Sequence, residues 1–443
     1  MKDHGAAAAA VRTASVRRPS RWRSFVMFLS VIGPGIITAN ADNDVGGITT
    51  YSIAGAQFGY SMLWLLVPVT IALIVVQEMC ARMGAVTGKG LADLIRENFG
   101  VKVTFWVLLL FVLGDLGNTA SEFAGVASAA PIFQTYVPLL SKYVLVPLAA
   151  VFVAAVVTRG NYRAVEKIFF AFCVVYLAYV ASALLVHPPW REVLAQTIVP
   201  HFTPNGAYVL TAVAVIGTTI SPWMQFYIQS AIVEKGVRVE SYPLSRIDVV
   251  TGAFFTDIIA YFIIVSSAAT IFVHNLHAGP HGQITINDAG DVASALTPLA
   301  GKYASLLFAL GLLNAAVFTA SILPLSTAYY VCEAFGFESG VENRFSEAPI
   351  FYALYFALIS IGAVLVIIPG APLLRIIFYS QVLNGVLLPV VLVLMLLLIN
   401  NRRLMGRYVN NALFNAIAWA TVVIVALLTV ISTVQVALSG GGG

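Results

Sequence analysis

Long apolar stretches separated by short polar breaks run along nearly the whole chain. A helix needs roughly 20 apolar residues to cross ~30 Å of hydrocarbon, and these stretches are continuous, unlike the alternating pattern of a β-barrel. The eighth is too long for one simple crossing, so we expect its first turns outside the membrane. The pattern predicts eleven helices, numbered in chain order, over residues 25–57, 61–85, 102–130, 142–158, 163–186, 206–233, 247–273, 296–332, 349–368, 376–399 and 408–436.

Composition favours a membrane protein over a soluble one. Hydrophobic residues make up 60% of the 443 residues, charged residues 10%, and the mean hydropathy is +0.91. Soluble domains carry about 25% charged residues, so most of the outer surface must face lipid. We expect an all-α polytopic membrane protein with a disordered cytoplasmic tail at 1–23, one transmembrane domain at 24–437 and a flexible end at 438–443.

Lysine and arginine fall mainly on one side of the predicted helices. With the N-terminus inside the cell, all but four of the 24 Lys and Arg residues lie in the tail or in cytoplasmic loops, as the positive-inside rule expects. The four exceptions are Lys142, Arg191, Lys302 and Arg375. With eleven helices, this bias predicts a cytoplasmic N-terminus and an extracytoplasmic C-terminus.

Helix 1 carries a polar run where a lipid-facing helix would be apolar. Asp42, Asn43 and Asp44 are followed closely by Gly46 and Gly47. Ionisable groups at membrane depth are costly and usually functional. The glycines let the backbone unwind, and interrupted helices of this kind form ion sites in the middle of transporters. The alternative is that helix 1 ends here and the acids lie in an exposed loop.

Helix 6 is also interrupted in its middle. Pro222 follows Thr218 and Ser221 and precedes Trp223 and Gln225. A proline inside a helix removes a backbone donor and clashes with the preceding turn, which frees carbonyl oxygens. A tolerated kink without a ligand role is the structural alternative.

The two interruptions occupy corresponding positions in two five-helix halves. The halves cover about 25–186 and 206–399, and helix 11 follows at about 408–436. Matching breaks in two halves are typical of inverted-repeat transporters, whose binding site lies between them. We therefore expect residues 40–47 and 217–224 to meet near mid-membrane.

Helices 3 and 10 contain further polar residues. Asp115, Asn118 and Glu122 share one helical face, because residues three and four apart are neighbours on a helix. They either line a water-filled path or pair with other residues as structural groups. Gln381 and Asn384 are predicted to form hydrogen bonds between helices, with a direct ligand role as the alternative.

The histidines argue against a membrane enzyme. All six fall in the tail or in predicted outside loops. An enzyme would need a nucleophile with its base, or a His/Glu metal cluster, at membrane depth. We therefore predict that the protein is not an enzyme.

Several motifs resemble those of the NRAMP family of divalent metal transporters. Residues 33–44, 54–60 and 87–88 resemble its first two helices, Ser121–Gly125 its third, and Asn401–Gly406 the loop before its eleventh. The resemblance extends over nearly the full chain. It implies a LeuT-type fold, with two inverted five-helix repeats, an eleventh helix, and helices 1 and 6 broken at mid-membrane.

The chain departs from that family at the motifs that bind the metal. The family's helix 1 motif, Asp-Pro-Gly-Asn, reads Asp44-Val45-Gly46-Gly47 here, so the aspartate is kept and the asparagine is lost. In the family's helix 6 motif, Met-Pro-His, Ser221 and Trp223 replace the methionine and the histidine on either side of Pro222. Met224 could partly replace the sulfur ligand that the family's methionine provides. In helix 3, Thr119 stands where the family has an aspartate. These changes resemble the prokaryotic clade of NRAMP-related magnesium transporters, found in the inner (plasma) membrane.

The resemblance implies a set of metal-binding residues. Asp44 would be the principal acid, Asp42 or Asn43 would assist, Thr218 would offer its carbonyl and Ser221 its hydroxyl, while Trp223 would shape the wall. The full predicted metal set is Asp44, Asp42, Asn43, Gly47, Thr218, Ser221 and Trp223. Residues predicted along the pathway or behind the ligands are Asp115, Asn118, Glu122, Gln225 and Gln381.

Oxygen ligands in place of sulfur and imidazole favour a hard cation. We expect import of largely hydrated Mg²⁺, and of Mn²⁺, without proton coupling, because the family's histidine and helix 3 aspartate are missing. The alternative is a proton-coupled Mn²⁺ or Fe²⁺ importer of the usual NRAMP type. An organic substrate with a carboxylate group would be repelled by the acids of helix 1. Only the ion and the lipid bilayer are expected as partners, with no cofactor, no nucleic acid and no obligatory protein partner.

Overall fold

The computed structural model describes residues 43–158, 176–203, 205–277, 286, 289–341 and 343–438. Within these residues, eight helical segments are long and apolar enough to cross a membrane. The predicted all-helical membrane fold is therefore confirmed. The predicted tail, the first part of helix 1 with Asp42, and the first part of helix 5 lie outside the described residues.

Each of the eleven predicted segments contains a helix, and we number these helices α1 to α11 accordingly. Helix 6 is divided into α6a and α6b. The helices are α1 (Val45–Phe58), α2 (Leu63–Thr87), α3 (Leu91–Gln134), α4 (Lys142–Thr158), α5 (Leu177–Leu185), α6a (Gly206–Thr219), α6b (Pro222–Glu234), α7 (Tyr242–Ser267), α8 (Ala304–Phe335), α9 (Pro349–Ile367), α10 (Leu373–Ile399) and α11 (Ala412–Leu438).

Some helical residues were predicted to be loop. α3 begins at Leu91 instead of 102, and Gly100, with φ of 80°, separates its first turns from the long apolar part. A short helix, Trp190–Ile198, lies between α5 and α6a. Before Ala304 the chain forms short helical turns separate from the long α8. The position of these turns outside the membrane stays a prediction.

α3 and α10 each contact several other helices. α8, α9 and α10 pack against α3, while α1 packs against α6a, α7 and α10. The outside is apolar, with Val151 67% exposed and Leu413 65% exposed. Contiguous apolar surface of this kind marks contact with a membrane or a partner, and together with the helix lengths it fits lipid contact.

Candidate metal site

α1 begins directly after Asp44, which caps the helix. The Asp44 backbone is extended (φ −75°, ψ −174°), and its Oδ1 accepts a hydrogen bond of 2.6 Å from the Gly47 N–H. Carboxylates are favoured at this position because the first N–H groups of a helix lack partners. Gly47 therefore contributes to the candidate site by donating its N–H to the Asp44 carboxylate. Asp44 is only 3% exposed, so it does not lie in an exposed loop.

The predicted interruption of helix 6 is confirmed. α6a ends at Thr219, Ser221 is extended (φ −63°, ψ 135°), and Pro222 opens α6b, where a missing N–H does no harm. The Ser221 hydroxyl lies 2.9 Å from the carbonyl oxygen of Gly217 and 3.1 Å from that of Thr218. A carbonyl has two lone pairs, so the Thr218 carbonyl keeps acceptor capacity after this contact.

The start of α1 and the break in helix 6 are neighbours in space. The Tyr51 hydroxyl of α1 lies 2.7 Å from the Thr219 hydroxyl at the end of α6a. Both helices also pack on Gln381 of α10: a Cβ on Gly46 would lie 2.0 Å from the Gln381 Nε2, and one on Gly217 would lie 2.2 Å from its carbonyl oxygen. The absence of a side chain at these two glycines therefore lets α1 and α6a approach Gln381 of α10 closely.

α3 brings a second carboxylate to Asp44. A Cβ on Gly125 would lie 2.3 Å from Val45 Cγ2, so the α3 backbone touches the start of α1. Glu122, one turn earlier, is fully buried and interacts electrostatically with Asp44. Neither Glu122 oxygen makes a hydrogen bond of normal geometry within the described residues. The site is thus built on two adjacent carboxyl groups.

A chain of amides links α3, α10 and the helix 6 break. Asn118 and Asn384 exchange two hydrogen bonds of 2.8 and 3.0 Å. Asn384 also donates to Ser221 Oγ at 3.3 Å and to Gln381 Oε1 at 3.0 Å. The prediction of interhelical hydrogen bonds is confirmed for Asn384, whereas the hydrogen bonds of Gln381 in the described residues are with Ser380 and Asn384 of α10 itself.

Comparison with known proteins decides the family. A family model described as "Natural resistance-associated macrophage protein-like" (Nramp) matches residues 35–435. This chain belongs to the Nramp family.

Named relatives of this Nramp chain are similar over most of their length. The divalent metal cation transporter MntH of Klebsiella pneumoniae subsp. pneumoniae is 28% identical over 407 residues, which cover 90% of this chain and 92% of the relative. The protein of the same name from Deinococcus radiodurans is 26% identical over 426 residues, 94% of this chain and 92% of the relative.

Solved structures agree on the fold. A manganese transporter of Eremococcus coleocola, solved with an aromatic bis-isothiourea substituted compound, gives a TM-score of 0.74 at 20% identity, covering 97% of this chain and 91% of the other. Mhp1, a nucleobase-cation-symport-1 family transporter, gives 0.56 at 14% identity, covering 92% and 93%. The predicted LeuT-type transporter fold of this Nramp chain is confirmed.

Two predicted pathway residues of the Nramp chain have other partners. Asp115 Oδ2 accepts hydrogen bonds from Thr327 at 2.7 Å and from Tyr330 at 2.9 Å, both on α8. Asp115 therefore ties α3 to α8. Gln225 donates to the Ser221 carbonyl at 3.1 Å and so supports the break from the α6b side.

The remaining predicted ligands are buried near the break. Trp223 is 1% exposed, and its ring N–H has no hydrogen-bond partner within the described part of the chain. The hydroxyl of Thr218 is likewise buried without such a partner there. Asn43, directly before Asp44, is fully buried. Asp42 lies outside the described residues.

The side chains and carbonyls described at this candidate site offer oxygen atoms as donors. No group of three or more His, Cys, Asp or Glu side chains with metal-binding geometry occurs in the ranges that the structure describes. The close position of Glu122 to Asp44 was not predicted. The sequence hints at it only through the spacing of three between Glu122 and Gly125, which puts Glu122 and Gly125 on the same face of α3, the face that meets α1.

Proposed function

We propose that this chain transports a divalent metal cation across the membrane, holding it between the start of α1 and the break in helix 6. The observation that carries the proposal is the buried pair of Asp44 and Glu122, neither of which forms an ion pair with Lys or Arg in the described residues. Two adjacent buried carboxylates without a counter-charge are costly, and a dication would neutralise them. The family and the names of its relatives support this proposal.

The donor chemistry supports Mg²⁺ and Mn²⁺ as the cations. Asp44, Glu122 and the Thr218 carbonyl offer hard oxygens, which suit Mg²⁺ and are also accepted by Mn²⁺. We propose that the ion enters the cytoplasm across a prokaryotic plasma membrane, with the N-terminus inside. A membrane potential, negative inside, would favour entry of a dication by about 4.6 kcal/mol per 100 mV.

A proton-coupled Mn²⁺ or Fe²⁺ importer is the second candidate, and the comparisons favour it over an uncoupled Mg²⁺ pathway. The similar structures include manganese transporters, and the relatives are named divalent metal cation transporters. One contact also favours it. Carboxylate ligands must be deprotonated to bind metal, so metal binding releases protons. The family's histidine is missing here, but Glu122, beside Asp44, is a carboxyl group that can release a proton when the metal binds.

Flux into proteoliposomes tests the function and separates the candidates. Mg²⁺ and Mn²⁺ entry are followed with a metal dye and internal pH with a second dye. We expect Asp44→Ala to abolish Mn²⁺ entry. The control Glu97→Ala, at an exposed carboxylate paired with Lys89, should leave Mn²⁺ entry unchanged. Internal acidification in fixed ratio to metal entry would establish the proton-coupled candidate and overturn the uncoupled one. Metal entry that is unaffected by Asp44→Ala would refute the site.

Calorimetric titration identifies the preferred ion. Purified wild type and Asp44→Ala are titrated with Mg²⁺, Mn²⁺ and Ca²⁺. An oxygen-only site with few protein ligands predicts binding of Mg²⁺ and Mn²⁺ that Asp44→Ala removes. Tight Mn²⁺ binding without a response to millimolar Mg²⁺ would establish the second candidate instead.

A further inference from the structure

A cavity of about 230 Å³ opens between three helix ends. Its walls include Ile53 and Gln57 of α1, Thr211 of α6a, and Arg375 and Phe378 of α10. We call it the entry cavity. α1 and α6a reach the candidate metal site at their other ends, and α10 reaches it through Gln381, so the same three helices line both.

A larger cavity, of about 1090 Å³, adjoins the entry cavity. The two share Ile286, Leu374 and Arg375 in their walls. The larger one also contains Lys142, whose Nζ donates to the Val366 carbonyl at 3.4 Å. The described wall residues of both cavities include these two cations and no carboxylate. Among the described residues, the charge that lines this side is therefore positive.

Tyr51 lies on α1 between the cavity residue Ile53 and the candidate ligand Asp44. The hydrogen bond between Tyr51 and Thr219 joins α1 to α6a there. Arg375 lies six residues before Gln381 on α10, about 9 Å along the helix axis. Arg375 is exposed and has no ion pair among the described residues.

A positive charge in front of a cation site is unusual, because clefts normally concentrate their ligand with charge of the opposite sign. We propose that Arg375 limits the rate at which the dication enters from this cavity, by lowering the ion's local concentration in front of the Tyr51–Thr219 contact. This inference rests on the proposed function. Since the effect is electrostatic at an exposed residue, it must weaken as salt screens the charge.

Coulomb's law sets the expected size. A dication that passes about 10 Å from a unit charge in water is disfavoured roughly fourfold, or about threefold with the screening at ~0.01 M ionic strength. Screening at ~0.5 M removes nearly all of this factor. Wild-type entry at subsaturating metal should therefore become faster as salt increases.

The test measures initial Mn²⁺ entry, as kcat/KM, into proteoliposomes of uncharged phosphatidylcholine between ~0.01 and ~0.5 M ionic strength. The variants are Arg375→Lys, Arg375→Gln and Arg375→Glu. The matched control is Arg402→Gln, at an exposed arginine after the opposite end of α10. At low salt we expect about threefold faster entry for Arg375→Gln and on the order of tenfold for Arg375→Glu, with Arg375→Lys and Arg402→Gln like wild type.

The salt profile separates the outcomes. Convergence of all variants at high salt supports the proposal, because a merely structural defect would not disappear with screening. Equal salt profiles for wild type, Arg375→Gln and Arg375→Glu, with entry that still depends on Asp44, would overturn it and leave the proposed function intact. Absence of Asp44-dependent entry in wild type would refute the proposed function itself.

Discussion

At the scale of single residues, Asp44 and Glu122 define the chemistry of the site. They come from different helices and meet because Gly125 lets the α3 backbone touch Val45. The helical face of Glu122 could be predicted from its spacing, but the helix it faces could not. Periodicity reports which residues share a face, whereas contact between distant helices depends on packing. Asp115, on the same face, turns instead to α8.

Metal affinity should depend on pH through this pair. Protons compete with the metal for the carboxylates, so lowering the pH should lower Mn²⁺ affinity, by about tenfold per pH unit for each proton displaced. Glu122→Gln removes one of the two groups. We expect at least tenfold weaker binding and a shallower pH dependence, measured by calorimetry between about pH 5.5 and 7.5.

The control for this prediction is Asp115→Asn, another buried carboxylate on α3. Because Asp115 is bound to Thr327 and Tyr330, its replacement should lower thermal stability and leave the pH dependence of Mn²⁺ affinity unchanged. An unchanged slope in Glu122→Gln would show that Glu122 does not exchange a proton with the metal.

At the scale of elements, hydropathy predicted the positions and order of the apolar helices, and proline predicted the break in helix 6. The helical turns at Leu91–Phe99 and the helix Trp190–Ile198 could not be predicted this way. Both are short, and each carries charged residues such as Glu97 and Glu192, so neither has the continuous apolar run on which the prediction depended. Their helicity comes from packing against the larger helices.

The contact between α6a and α10 should tolerate no added side chain at Gly217. A Cβ there would lie 2.2 Å from a backbone oxygen and 2.3 Å from the Gly385 nitrogen, neither of which can move alone. We expect Gly217→Ala to prevent folding or to lower the melting temperature severely, measured by size-exclusion thermal stability in detergent.

Two further glycines calibrate that measurement. Gly46→Ala meets mainly the Gln381 side-chain amide, which can shift, so its loss of stability should be smaller and its loss of Mn²⁺ binding larger. Gly206→Ala, whose nearest neighbour would be 3.6 Å away, should resemble wild type. If all three substitutions lower the melting temperature equally, close packing at Gly217 does not explain the effect; helix propensity alone favours alanine over glycine.

At the scale of the whole molecule, one buried ion pair joins parts of the chain that are far apart in sequence. The spacing of Glu78 and Arg82 on α2 predicts a pair, and the structure confirms it at 3.0 Å. Arg82 also donates to the Tyr408 carbonyl at 3.0 Å and to the Asn410 side chain before α11, while the Tyr242 hydroxyl of α7 donates to Glu78. The sequence alone predicts the pair but not these partners.

Breaking this network should destabilise the protein strongly. Removal of one partner of a buried pair leaves an uncompensated charge and costs about 3–5 kcal/mol. We expect Arg82→Ala and Glu78→Ala each to lower the melting temperature. The double variant Glu78→Gln/Arg82→Gln should lower it by less than the sum of the decreases that Glu78→Gln and Arg82→Gln cause separately. Strict additivity in this double-mutant cycle would mean that the pair contributes nothing through its charge.

The position of Asp44 at the first turn of α1 also bears on how long a bound ion stays. The N-terminal end of a helix carries a partial positive charge, and α6b presents a second such end at Pro222. Both oppose the attraction of the carboxylates for a dication, and Gly47 already occupies Asp44 Oδ1. A carrier must release its cargo in every cycle, so at the proposed site these helix ends would shorten the time that a bound ion stays at Asp44.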